Sequence, residues 1–266
     1  MKTLVVTADD FGLSSEVNEA VRRAHRDGIL TCASLMIGAP AAKQAVEIAK
    51  RGGLPVGLHL TLVDGQPVLP AERIPDLVDG GGAFREGPGG PAVRIGLSAR
   101  ARSQARAECE AQMDAFLATG LELDHVNAHQ HFHLHPSVLT IVVELARRHR
   151  AAVRVPLEPG LPPYRSAVLA ATMLPWALQA RRRLRRAGIV TNDALFGLYD
   201  SEAMTEQAWL RIVPRIGPGV TEVYCHPSMA PSAAQELAAL LSPAVRAALD
   251  RAEIHRTSFA GAAGRL

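Results

Sequence analysis

The sequence predicts a parallel α/β fold, arranged as a single (β/α) barrel that is incomplete or distorted. Short apolar runs alternate with longer segments of helical periodicity, which is typical of a parallel sheet covered by helices. The 266 residues also match the usual size of an α/β barrel, and no repeat or linker divides residues 1–266 into separate domains. A doubly wound open sheet is the main alternative.

Seven short apolar runs are the predicted strands, at residues 4–8, 34–39, 56–62, 123–128, 152–157, 220–226 and 254–259. Helices are predicted at residues 16–26, 40–51, 98–118, 136–149, 165–186 and 232–250. Ser14 or Ser15 can cap the first helix, and Gly28 ends it. The Gly- and Pro-rich stretch 65–91 predicts a long functional loop.

Charge and composition exclude several classes of protein. The net charge of +3 is too small to indicate a nucleic-acid partner, since most basic residues are interleaved with acids. Three scattered cysteines argue against a disulfide framework. The first apolar run is too short for a signal peptide, and no stretch approaches the roughly 20 apolar residues of a spanning helix. We therefore expect a cytoplasmic protein.

Ionisable side chains fall at the carboxyl ends of the predicted strands, which is where parallel α/β folds place their sites. A lone histidine is usually structural, but several strand ends that offer such groups to one face predict a site. The set comprises Asp9 and Asp10 after the first strand, His59 in the third, His129 after the fourth, Arg154 on the fifth and His226 at the end of 220–226.

A row of histidines at alternate positions follows the fourth strand: His129, His131, His133 and His135. At about 3.3 Å per extended residue the row would span roughly 20 Å. A metal ion holds nitrogen ligands at about 2.0–2.1 Å, so one ion cannot bind all four unless the segment bends. We predict His129 as the ligand because it is nearest the strand end, with His133 and then His131 as alternatives. The other histidines are predicted to contact substrate or to support the site.

The adjacent acids Asp9 and Asp10 predict a division of labour. Neighbours on an extended chain point to opposite sides, so we expect one carboxylate on the metal and the other acting as a base. An Asp/His/His set with open coordination positions is typical of a catalytic metal site and suits hydrolysis of an amide or ester. No GxSxG motif is present, and Cys225 is expected in the core because it faces away from His226.

Four motifs together resemble the YdjC-type carbohydrate deacetylases: TADDFGLS at 7–14, GLHLTL at 57–62, HVNAHQHFHLHP at 125–136 and YCHP at 224–227. The closest similarity is to the branch associated with hopanoid biosynthesis, through AVRVPLEP, TNDALFGLYD and GVTEVYCHP. The resemblance implies a barrel-like fold, a divalent metal ion and removal of an acetyl group from an N-acetylated sugar.

The resemblance also implies roles for individual residues. Asp10, His59 and His129 would hold the metal, Asp9 would be the general base and His226 the acid. Arg154 would orient a carboxylate or the substrate, unless it is a surface charge, and His131 and His133 are further candidate substrate contacts. Magnesium is often described for the family, whereas two imidazoles favour zinc or another transition metal. Family members often form dimers.

In the hopanoid branch the implied substrate is an N-acetylglucosaminyl group on a hopanoid lipid. Residues 166–188 combine an apolar run containing Trp176 with five arginines within 181–186. Such a segment can lie in a membrane surface, or it can be a barrel helix with solvated arginines that Pro175 kinks or breaks. The alternatives are deacetylation of small N-acetylglucosamine oligosaccharides, a metal-dependent phosphoesterase, and a non-catalytic sugar- or lipid-binding protein.

Overall fold

The computed structural model describes residues 1–160, 167–231 and 234–264. One parallel sheet of eight strands curls into an incomplete barrel surrounded by helices, as the sequence predicts. The strands are β1 (Lys2–Phe11), β2 (Cys32–Leu35), β3 (Val56–Leu60), β4 (Leu123–Ala128), β5 (Ala152–Val153), β6 (Ala194–Phe196), β7 (Gly219–Cys225) and β8 (His255–Arg256).

Strand β1 lies near the middle of the sheet, whose order is β5-β4-β3-β2-β1-β7-β6, and β8 also pairs with β1. Thr7 is in register with Cys32 of β2 on one side and Tyr224 of β7 on the other. Leu4, Val5 and Val6 are fully buried, which explains the continuous apolar run of this strand, since helices and barrel interior cover its two faces.

The two edges of the sheet meet without a ladder between β5 and β6 in the described part of the chain. Isolated backbone hydrogen bonds join them instead, from Val153 to the Val190 carbonyl and from Leu195 to the Leu157 carbonyl, both at 2.9 Å. The side chain of Asn192 adds a further link. Its Oδ1 accepts the N–H of Val155 at 2.7 Å, and its Nδ2 donates to the Val155 carbonyl at 2.8 Å.

Serine side chains cap the N-termini of several helices. Ser14, Ser98 and Ser242 each accept a backbone N–H at a helix start. None of the described helices is both long and apolar enough to cross a bilayer. The helices are α1 (Ser15–Asp27), α2 (Ala42–Gly52), α3 (Gly89–Leu97), α4 (Ala99–Ala118), α5 (Pro136–His149), α6 (Ala167–Arg186), α7 (Glu206–Ile212), α8 (Ala234–Leu241), α9 (Pro243–Arg251) and α10 (Phe259–Ala263).

Several predicted boundaries were wrong. The second strand lies earlier than residues 34–39, and the predicted strand 254–259 has only two strand residues before α10 begins. The predicted helix 232–250 is interrupted at Ser242, which caps α9. Strand β6 and helix α7 were not predicted, because three and seven residues give too little periodicity. Residues 165 and 166 of the predicted helix 165–186, and residues 232 and 233 of the predicted helix 232–250, lie outside the described residues.

The 65–91 stretch is packed against the barrel rather than extended into solvent. Ile74, Leu77 and Phe84 are buried, and a bridge pairs Val78 with Phe84. The carboxylate of Glu108 in α4 accepts backbone N–H groups from this stretch at 2.8 and 3.0 Å. These contacts place Pro88 in the wall of the cavity described next.

Candidate metal centre and cavity

Asp9 and Asp10 lie inside β1, two residues and one residue before its end, rather than after it. Asp10 has a φ of 59°, a left-handed conformation that Asp tolerates better than most residues. The register between β1 and β2 also shifts between Ala8 and Phe11. This irregularity turns both carboxylates into one cavity. The expectation that they point to opposite sides was wrong because it assumed a regular extended chain.

Asp10, His59 and His129 form a compact cluster at the carboxyl ends of β1, β3 and β4. Asp10 Oδ1 lies 3.2 Å from His59 Nε2 and 3.0 Å from His129 Nδ1. Ligands bound tetrahedrally at about 2.0–2.1 Å stand roughly 3.3 Å apart. One carboxylate oxygen and two imidazole nitrogens therefore already have the separation that a divalent ion requires.

The histidine row bends immediately after β4. Residues His129–Leu134 form a 3-10 turn in which Gln130 and His131 have φ values of 49° and 53°. Among the described residues, His129 is the one histidine of the row that joins the metal cluster. The bend places the histidines of the row in different surroundings, so they cannot all be ligands of one metal ion.

His131 and His133 are the second and third members of the row. His131 lines the cavity, and its Nε2 lies 3.3 Å from the hydroxyl of Tyr224. His133 is fully buried and its Nε2 donates to the Arg154 carbonyl at 3.0 Å. Burial, followed by the charge of Arg154, lowers the pKa of both rings, that of His133 to about 3, so both are neutral.

Arg154 is fully buried and lies beneath the cavity rather than in its wall. Its Nη1 and Nη2 both donate to the Asp9 carboxylate, the latter at 2.9 Å. Its Nε and Nη2 donate to Glu222 Oε1 at 2.9 and 2.7 Å. The structure thus favours the carboxylate-orienting prediction for Arg154. Neither Arg154 nor His133 lines the cavity, so neither side chain lies where a substrate in the cavity would contact it.

Asp9 is held as an anion by this arrangement. Burial alone would raise the pKa of Asp9, but the charge and hydrogen bonds of Arg154 lower it well below its ordinary value. Asp9 still lines the cavity. It therefore presents an ionised proton acceptor beside the Asp10 cluster.

His226 follows β7 and lines the cavity. Its backbone N–H donates to Glu236 Oε2 at 2.6 Å, and Glu236 Oε1 accepts the N–H of Met204 at 3.1 Å. The ring packs edge-on against Tyr224, with centroids 5.6 Å apart. Glu236 in α8 therefore fixes the backbone that carries the predicted acid.

Sequence reasoning missed Asn127, Tyr224 and Glu236. Asn127 had a usable signal, since it alternates with His125 and His129 along β4 and so shares their face. Glu236 had none, because it lies ten residues after His226 and is brought back only by the course of α8.

The cavity has a volume of about 760 Å³. The polar residues that line it include Asp9, Asp10, His59, His129, His131 and His226. Apolar side chains also line it, among them Leu13, Val17, Pro88, Met173, Leu198 and Pro227. A cavity that offers both kinds of surface suits a ligand with a polar head and an apolar continuation.

The family model described as YdjC-like protein matches residues 3–251. The chain belongs to the YdjC-like family. A carbohydrate deacetylase of Brevibacillus brevis is 33% identical over 85% of this chain and 81% of its own length. One from Geobacillus stearothermophilus is 32% identical over 84% and 78% of the two lengths.

A solved structure has the same overall fold. A protein of Enterococcus faecalis, described as a proposed cellobiose-phosphate cleavage protein, superposes with a TM-score of 0.80 over 98% of both chains. At 23% identity this likeness shows the fold alone.

Proposed function

We propose that this YdjC-like protein is a metal-dependent N-deacetylase that hydrolyses the acetamide of an N-acetylated amino sugar to acetate and a free amine. The observation that carries the proposal is an ionised, buried Asp9 beside the Asp10, His59 and His129 cluster, with His226 lining the same cavity. The carbohydrate deacetylases among its relatives support the same reaction.

The metal would be held by Asp10, His59 and His129, and a bound divalent ion polarises a carbonyl and acidifies water. Two imidazoles and one carboxylate favour zinc or another transition metal over magnesium. The donor set also leaves coordination positions open for water and substrate, as catalytic sites do.

Two chain residues would move the protons. Asp9 accepts the proton of the attacking water as the new C–O bond forms at the acetyl carbon. His226 donates a proton to the nitrogen as the C–N bond breaks, so that the amine leaves neutral. Arg154 keeps Asp9 ionised and fixes the direction of its carboxylate.

His131 is the proposed substrate contact in the cavity. Its ring is neutral and its Nε2 faces Tyr224. Because the residue lines the cavity, a sugar bound there would lie beside this ring.

We propose that the sugar is attached to a lipid, specifically as an N-acetylglucosaminyl hopanoid. The apolar side chains that line the cavity support this, together with the neighbouring half of α6. From Ala177 onward α6 buries one face, whereas Val168, Leu174 and Trp176 are 77%, 50% and 46% exposed. Met173, between them, lines the cavity.

We further propose that residues 166–188 contact an anionic membrane surface. The apolar half of α6 would enter the lipid and the arginines within 181–186 would face headgroups. Residue 166 lies outside the described residues. The helix continues through Pro175 without a break, so both halves belong to one element.

The substrate proposal is tested by acetate release from a panel: an N-acetylglucosaminyl hopanoid, N-acetylglucosamine oligomers and a phosphate monoester. Release from the hopanoid above all is expected. Release from oligomers alone would keep the chemistry and reject the lipid. Phosphate release without acetate would reject the deacetylase.

A further inference from the structure

A buried amide lies directly beneath the proposed site and touches both of its halves. Asn127 of β4 is in register with His59 of β3 and is fully buried. Its Oδ1 lies 2.6 Å from His59 Nδ1. Its Nδ2 donates to Asp9 Oδ1 at 3.2 Å and to Ser34 Oγ at 2.8 Å.

The surroundings decide which way this amide faces. Both oxygens of the Asp9 carboxylate already accept hydrogen bonds from Arg154, so the amino end of Asn127 donates to it. The carbonyl end then faces His59 and accepts the N–H of its Nδ1. The other ring nitrogen of His59, Nε2, is thereby held toward the metal cluster, 3.2 Å from the Asp10 carboxylate.

A second chain of hydrogen bonds holds the amide from below. Since Ser34 Oγ accepts from Asn127, its hydroxyl is free to donate to His125 Nε2 at 2.9 Å. His125 Nδ1 then donates to Asp124 Oδ2 at 2.9 Å. Asp124 also accepts N–H groups from Phe259 and Ala260 at the start of α10. Each bond has a determined direction, and both ends are carboxylates.

We infer that Asn127 is a positioning residue that couples the proton acceptor Asp9 to the metal ligand His59, and that Ser34, His125 and Asp124 hold it in place. This rests on the proposed function for the roles of Asp9 and His59. One amide sets the hydrogen-bonding state of both groups, so their geometry depends on a residue that does not line the cavity.

Asn192 provides a matched control for the alternative that Asn127 merely fills a polar core. Both are buried asparagines that use both ends of the amide. Asn192 bonds only to the backbone of Val155 and Ala194 and touches none of the site residues. Replacing Asn192 should destabilise the barrel without changing the orientation of the His59 ring.

The test is zinc affinity of the purified full chain by competition with a chelator, together with kcat, KM and thermal unfolding. Asn127→Leu should weaken zinc binding about 10- to 100-fold, as loss of a partner of a metal ligand does. Asn127→Asp keeps an acceptor for His59 but removes the donor to Asp9. It should hold zinc near wild-type affinity while kcat falls and KM changes little. Ser34→Ala should weaken zinc binding less than Asn127→Leu.

Asn192→Leu should lower the unfolding temperature and leave zinc affinity unchanged. Wild-type zinc affinity in Asn127→Leu, or an equal loss in Asn192→Leu, would overturn the inference. Zinc affinity is measured independently of acetate release. If the wild-type chain binds zinc but releases no acetate, the proposed function is rejected, and the zinc affinities of the variants still test the positioning role of Asn127. A wild-type chain that binds no zinc overturns both.

Discussion

The guanidinium of Arg154 lies between the carboxylates of Asp9 and Glu222 and hydrogen-bonds to both inside the barrel. All three side chains are at most 4% exposed. A cation shared in this way fixes Asp9 in one orientation and lowers the pKa of its carboxyl. The orientation of Asp9, the proton acceptor of the proposed reaction, therefore depends on Arg154, which does not line the cavity.

Removing that cation should destabilise the fold strongly. Arg154→Met leaves two buried carboxylates without a counter-charge, and we expect the free energy of unfolding at pH 7 to fall by about 3–5 kcal/mol. Arg100→Met is the control, because Arg100 pairs with Asp76 while 68% exposed; its loss should cost under about 1 kcal/mol. Equal losses in denaturant titrations would contradict the account.

Asp9 and His129 should separate catalysis from metal binding. Asp9→Asn removes the proton acceptor but none of the three proposed ligands, so acetate release should fall about 10²- to 10⁴-fold while zinc remains bound. His129→Ala should lose zinc as well as activity. Calorimetric zinc titration beside the acetate assay distinguishes the two, and loss of zinc in Asp9→Asn would assign Asp9 to the metal instead.

Glu158 should make stability depend on pH. Burial raises the pKa of Glu158 from 4.5 to about 7, although its carboxylate accepts N–H groups from Leu198 and Tyr199. Between those values the unfolded chain has lost a proton that the folded chain keeps. The free energy of unfolding is therefore highest below pH 4.5, where Glu158 is protonated in both states. It falls by on the order of 2 kcal/mol as the pH rises to 7. Glu158→Gln should flatten the curve between pH 4.5 and 7, and an unchanged slope would contradict the assignment.

Gly57 of β3 leaves the space that the His125 ring occupies. A Cβ at this position would lie 2.5 Å from the ring, so Gly57→Ala should cost about 1–3 kcal/mol of unfolding free energy through overpacking. Gly52, at the end of α2, has no atom within 4 Å of such a Cβ. Gly52→Ala should instead leave stability unchanged or gain about 0.4–1 kcal/mol. The same loss in both variants would show that the ring is not the cause.

The exposed apolar half of α6 should mediate membrane binding. Replacing Val168, Leu174 and Trp176 with Ser should reduce partitioning onto anionic phosphatidylglycerol vesicles by at least about tenfold, since each buried apolar side chain contributes roughly 1.5–3 kcal/mol. Val93 and Leu97 of α3 are 62% and 83% exposed, and their replacement is the matched control.

Sedimentation of the α6 variant with vesicles to the wild-type extent would reject this surface. Glutamine at the five arginines within 181–186 should remove the part of the binding that salt weakens. Arg185 already pairs with Asp193 and Arg183 with Thr140, so the effect should be smaller than that of the apolar substitutions.

Much of the site's location follows from one rule. The carboxyl ends of parallel strands converge, so Asp10, His59 and His129 could be expected together from strand ends alone, and the structure brings them together. The bend after β4 was left open because periodicity describes only regular chain. The left-handed Asp10 was missed for the same reason, since a single irregular residue leaves no pattern.

Contacts between distant segments were the part that sequence could not supply. Arg154 could be placed on a strand, but its burial between Asp9 and Glu222 depends on β1, β5 and β7 curling around one axis. Glu236 of α8 accepts the backbone N–H of His226, and nothing in the sequence between them indicates this contact. The two-residue strands β5 and β8 exist because neighbouring strands pair with them, and their own composition did not indicate their limits.

The central claim is that one divalent ion on Asp10, His59 and His129 makes this chain an N-deacetylase. The most direct test measures acetate release from an N-acetylglucosaminyl glycolipid by the wild-type chain after chelation and again after one equivalent of zinc is restored. The account predicts loss on chelation, recovery at one equivalent, and no recovery in His129→Ala. Full release by the metal-stripped wild-type chain would contradict it.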